Sequence, residues 1–172
     1  MPSTVEHLIE KISSNTQDCI HFLNACEESA LKHHQHATWS AFDILEHLVL
    51  TDKMVYIMLR RPSNEQANST NIIGENILED KIVQQRHLKL NAPDSLQPKG
   101  LYTSRAACEE AFLKIRGKYL HDLNTHQIVA DNRIYKHPFL GNMTVSDWLL
   151  FIVYHNQRHL LQAQEQIKNA TI

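Results

Sequence analysis

The stretch 144–162 reads TVSDWLLFIVYHNQRHLLQ. Within it Trp148, Ile152, His155, His159 and Gln162 recur at intervals of three and four, the spacing that lines one face of a 3.6-residue helix. The apolar start, Trp148 to Tyr154, marks this helix as central, so His155 and His159 stand on its core-facing stripe, one turn apart. A neutral imidazole nitrogen buried without a partner costs about 1–3 kcal/mol, so such a pair needs either a hydrogen-bond network or a metal ion.

A third histidine of the same character lies upstream. In the segment Trp39 to Arg60, Ile44, His47, Thr51, Met54 and Met58 share a face, which turns His47 inward. Two imidazoles four residues apart can chelate one ion at about 2.0–2.1 Å, and a second helix can supply the third ligand. Three protein ligands leave a position open, where a bound water can reach a pKa of about 7. A satisfied core hydrogen bond is the competing reading for each histidine taken singly. The zinc-protease signature is absent, because Asn156, Gln157 and Arg158 separate the pair and no glutamate follows His155. Asp43, one turn before His47, fits either an orienting partner or a helix N-terminal aspartate favoured by the dipole.

Helical punctuation extends over the rest of the chain. Four glycines and five prolines fall almost entirely outside the periodic segments. Four long helices are expected: Thr4 to Glu28; Ser40 to a stop before Pro62; one after Ser104 carrying Cys108, Phe112, Ile115, Tyr119 and Leu123; and one capped by Thr144 with Asp147 three places on. About forty residues separate Pro62 from Thr103, enough to cross the length of a bundle and leave the second and third helices parallel. A shorter helix is expected within Asn71 to Lys89, and an extended link from Ala92 to Gly100. No segment shows strand alternation with hairpin chemistry, although Ile134 to Phe139 leaves room for a short ribbon.

Bulk properties narrow the function. The 172 residues suit one domain spanning 1–172, and 17 basic against 19 acidic residues, a formal net charge of -2, offer no basic stripe for nucleic acid. No apolar run approaches the roughly 20 residues of a membrane span, and Met1 to Lys11 lacks the pattern of a secretion signal. A soluble, cytoplasmic protein is expected. Cys19 and Cys26 lie roughly 10 Å apart along one helix, too far to bridge, and together with Cys108 they read as reduced core thiols. A nucleophilic role for Cys108 would require exposure and a depressed pKa. Lys32, His33, His34, Gln35 and His36 read as a solvated loop with some affinity for metal.

Trp39, Ser40, Ile44 to Leu48, then His137, Pro138, Phe139, Leu140, Gly141, Met143, Thr144, Trp148 and His155 to His159, in that order, resemble the DinB/YfiT-like metalloenzyme superfamily. The resemblance spans nearly the whole chain. It implies an all-α, up-down-down-up four-helix bundle with a long crossover between helices 2 and 3. It also implies one divalent metal ion, zinc or nickel, held by His47, His155 and His159, and a homodimer. Members of the family include thiol-dependent transferases and isomerases. The expected function is therefore a metal-dependent enzyme acting on a small molecule, a transferase using a low-molecular-weight thiol or a hydrolase. The alternative is a non-catalytic metal-binding or self-associating bundle.

Overall fold

The structure, a computed structural model, describes residues 4–34, 38–88 and 91–170. Among them are six helices and one two-stranded ribbon: α1 (Val5–Ala25), α2 (Glu28–Lys32), α3 (Ala41–Leu59), α4 (Glu75–Glu79), α5 (Arg105–Asn124), β1 (Ile134–His137), β2 (Gly141–Thr144) and α6 (Val145–Ala170). No helix among them is long and apolar enough to cross a membrane.

Local chemistry sets the helix starts. Thr4, Ser40 and Ser104 each accept a backbone N–H from the residue three places on, and Asp43 returns the bond to Ser40. Thr144 and Asp147 cap α6 in the same reciprocal way. The first helix ends earlier than its periodicity suggests, because Cys26 turns extended and its carbonyl takes a hydrogen bond from the Arg105 guanidinium. The expected helix within 71–89 is α4, which widens into a single π-type turn at Asp80–Gln84. The link 92–100 is extended apart from one 3₁₀ turn at Asp94–Leu96.

The 134–144 region departs from an all-helical chain. Ile134 pairs with Thr144 and His137 with Gly141 in an antiparallel ribbon, and Gly141 takes the positive φ of 78° that returns the chain from the turn. The ribbon leads directly into α6, so its turn stands beside the start of that helix.

Each long helix packs against two others: α1 and α3 both contact α5 and α6. The apolar core forms two clusters. One gathers Leu8 and Ile12 of α1, Val55 and Leu59 of α3, Ile115 to Leu123 of α5 and Trp148 to Tyr154 of α6. The other gathers Cys19 to Leu23, Ala41 to Val49, Cys108 and Phe112, and Leu160 and Ala163. Along every long helix a polar residue falls at or near the boundary between them: Asn15, Asp52, Arg116 and Asn156, all buried. Arg116 Nε donates to Asp52 Oδ2 at 2.8 Å, and the Tyr119 hydroxyl donates to the Asp52 carbonyl at 2.7 Å.

The core face of α3 lies further round than the stripe Ile44, His47, Thr51, Met54 implies. Leu48, Asp52, Val55 and Leu59 are buried while Met54 is 40% exposed, because α3 turns toward α5 as well as α6.

Candidate metal centre

His47, His155 and His159 come together, each offering a nitrogen, with all three ligand atoms within 4.8 Å of one another. Imidazoles this close suit a single ion with Zn–N bonds of about 2.0–2.1 Å. His47, on α3, is buried; His155 and His159, on successive turns of α6, are half-buried. The pair therefore sits at the margin of the core and not within it. The rings meet edge to face, with centroids 4.6–5.1 Å apart. Trp39 lies against His47 at 5.1 Å, and Phe151 stacks on His155 at 5.2 Å.

Hydrogen bonds fix which nitrogen is free. His47 Nδ1 lies 2.8 Å from the Leu96 carbonyl, which can only accept, so Nδ1 carries the proton and Nε2 the lone pair. His159 Nδ1 makes the equivalent bond to Gln162 Oε1 at 2.9 Å. His155 Nδ1 is buried with no partner, and His155 Nε2 faces His47 Nε2 at 3.3 Å. If His155 carries its proton on Nδ1, two lone pairs face each other; if on Nε2, a buried acceptor is left bare. A cation between the opposed Nε2 atoms removes the first conflict, so the donor set fits a metal ion.

Electrostatics favours the same state. Burial depresses the pKa of all three histidines: His47 falls, with the Leu96 hydrogen bond pulling the other way, and His155 falls well below the ordinary value as His159 and His47 add to the effect. His159 is pushed down to about 3 by burial and by His47. Proton competition for the ligand nitrogens is correspondingly weak at neutral pH.

The long crossover lies against the site, where the Leu96 carbonyl meets His47, and is held by residues adjacent to His47 and His159. Glu46, buried next to His47, accepts the backbone N–H of Lys99 at 2.7 Å and of Leu101 at 2.8 Å. Arg158, next to His159, donates to the carbonyls of Ile82 at 3.1 Å and Leu88 at 2.6 Å. A charge at position 46 inside the apolar run Ile44–Val49 was the available signal for Glu46; Arg158 and the Leu96 carbonyl gave none. Replacing Glu46 with alanine is expected to lower the unfolding free energy by about 1.5–3 kcal/mol, since it removes a charged acceptor from two backbone donors. Urea unfolding measures this, and a loss below about 0.5 kcal/mol would mean water replaces the carboxylate.

Other candidates fall elsewhere. Asp43 is the helix cap: its carboxylate accepts from Ser40 N and Oγ and lies 3.4 Å from His34 Nδ1, and does not orient His47. His33 and His34 stand outside the three-histidine group, and His36 lies outside the described residues. Cys108 is buried and its thiol is pushed up to about 12 by desolvation, which removes the conditions for a nucleophile.

A family model described as the DinB superfamily matches residues 11–163, and the chain belongs to that superfamily. It is also similar to the uncharacterized protein YuaE of Bacillus subtilis (strain 168), 29% identical over 127 residues, which cover 74% of this chain and 76% of that protein. No solved structure matches.

Proposed function

We propose that this DinB-superfamily chain is a metal-dependent enzyme in which His47, His155 and His159 hold one divalent ion, zinc or nickel, and that a low-molecular-weight thiol is its co-substrate. The observation that carries the reading is the opposition of two imidazole Nε2 atoms at 3.3 Å, one of them deprotonated by its Leu96 bond. A divalent ion there supplies Lewis acidity, which deprotonates a thiol or a water at neutral pH.

The chain's own residues shape the rest. Three neutral imidazoles add no negative charge, and the carboxylates that flank His47 along α3 are already engaged: Glu46 with the crossover backbone and Asp43 with its helix cap. That leaves an uncompensated positive site suited to an anionic ligand such as a thiolate. His155 and His159 are half-buried, at the margin of the core and not sealed within it. We read the scaffold as an up-down-down-up four-helix bundle. The two core clusters support this, pairing the first halves of α1 and α6 with the last halves of α3 and α5.

Zinc or nickel is expected to raise the stability of the wild-type protein, produced without a histidine tag, by about 2.7 kcal/mol at a hundredfold excess over Kd. Chelation should remove the increment, as should His159→Ala, while His34→Ala should leave it intact. Equal effects from the two variants would assign metal binding to the histidine-rich stretch 32–36 and end this reading.

A further inference from the structure

His137 ends β1 at the turn beside α6, and both of its nitrogens can be assigned. Nδ1 accepts the backbone N–H of Phe139 and of Leu140, each at 3.1 Å. It therefore holds the lone pair, and Nε2 holds the proton. The ring is half-buried among aromatic side chains, with centroids 5.2 Å from Trp148, 4.9 Å from Phe151 and 6.1 Å from Phe139. Phe151 in turn stacks on His155 with an interplanar angle of 22°, so a single phenyl ring separates His137 from a ligand of the metal centre. Phe139 is 63% exposed and extends this aromatic surface outward.

The turn alone does not require this residue. An asparagine oxygen could accept the same two N–H groups without a ring. What histidine adds is a second, protonated nitrogen on the aromatic surface, and among the described residues no acceptor meets it. Desolvation lowers the pKa of His137 to about 4, consistent with a neutral donor at physiological pH.

We infer that His137 is a ligand-binding residue of the histidine site, whose Nε2–H donates to a carboxylate or carbonyl oxygen of the small molecule bound there. The inference rests on the metal reading above and narrows its substrate class: a small thiol, or its partner, carrying an oxygen acceptor near the reacting atom.

The test uses cobalt-substituted protein titrated with mercaptoacetate, which has the oxygen acceptor, and with ethanethiol, which lacks it. His137→Asn keeps the turn acceptor and removes the Nε2–H. It should weaken mercaptoacetate binding about tenfold while leaving ethanethiol binding and cobalt content unchanged, the loss expected for one hydrogen bond to a charged group. A second measurement needs no variant: in zinc protein labelled with ¹⁵N-histidine, mercaptoacetate should shift the His137 Nε2–H proton downfield and ethanethiol should not. Equal changes for both thiols, or none, with cobalt retained, overturn the assignment of His137 alone. Failure of the wild-type protein to retain cobalt overturns the metal reading and this inference with it.

Discussion

Arg116→Met should lower the unfolding free energy by about 3–5 kcal/mol at pH 8, the cost of leaving a buried charge without its partner. Asp52 and Arg116 are 0% and 1% exposed, and they form an ion pair at 2.8 Å. Methionine fills the space but leaves the Asp52 carboxylate in an apolar interior. Burial already raises Asp52 to about 6 despite the opposing pull of Arg116. Because this folded-state pKa lies above the unfolded one, the proton-linked stability is fully present below about pH 4 and is lost as pH rises through 6. Removing Arg116 pushes Asp52 higher still, so the variant protonates sooner on acidification. Its deficit relative to wild type should therefore be largest at pH 8 and shrink toward pH 5. Urea unfolding at the two values checks this, and a deficit that grows on acidification would contradict it. Asp52→Leu combined with Arg116→Met should recover most of the loss, because no lone charge then remains.

Asp147→Ala should cost about 3–5 kcal/mol by a different route. The carboxylate is fully buried and accepts the N–H of Thr144 at 3.1 Å, and from the crossover those of Ile72 at 3.0 Å, Ile73 at 3.3 Å and Gly74 at 3.1 Å. The Thr144 hydroxyl adds a bond at 3.0 Å. Alanine removes the cap of α6 and strands several backbone donors, each worth about 1–3 kcal/mol where water does not reach. Asparagine should restore only part of the loss, since its amide sets a donor against donors. Amide exchange at 72–74 should accelerate in both variants; unchanged protection there would show that the crossover is held by something else.

The limits of sequence reading follow the physics of what a letter encodes. Periodicity and capping belong to single helices, so the starts at Ser40, Ser104 and Thr144 and the stop before Pro62 were all legible. His155 and His159 were legible as a pair because one helix sets their spacing, and His47 stood out as a polar residue in an apolar run. The family read from the order of these motifs is the one whose model matches. The Asp52–Arg116 pair was not legible: Asp52 is followed by Lys53, as on any wet helix face, and Arg116 follows Ile115 with no mark of burial. Only the packing of α3 against α5 brings them together. The Leu96 carbonyl was equally hidden, because a backbone acceptor carries no signature in the side-chain code. A short ribbon at Ile134 to Phe139 was left open, but its pairing with Gly141 to Thr144 was not legible, because the turn is built on His137 and Gly141 and not on a two-residue Asn-Gly type signal.

The band of Asn15, Asp52, Arg116 and Asn156 across the middle of the molecule has a mechanical consequence. Leucine against leucine tolerates sliding, and a helix displaced by one turn, about 5.4 Å, still buries much of its oil. A salt bridge does not slide: one turn away, Asp52 would confront apolar neighbours and Arg116 would lose its counter-charge. The pair thus works as a dowel, locking α3 at one height against its neighbours. His47 lies five residues from Asp52 on the same rod, and His155 adjoins Asn156 on another. The ion pair, no part of the ligand set, thus fixes the height of the helix that carries His47, one of three imidazoles whose ligand atoms lie within 4.8 Å of one another.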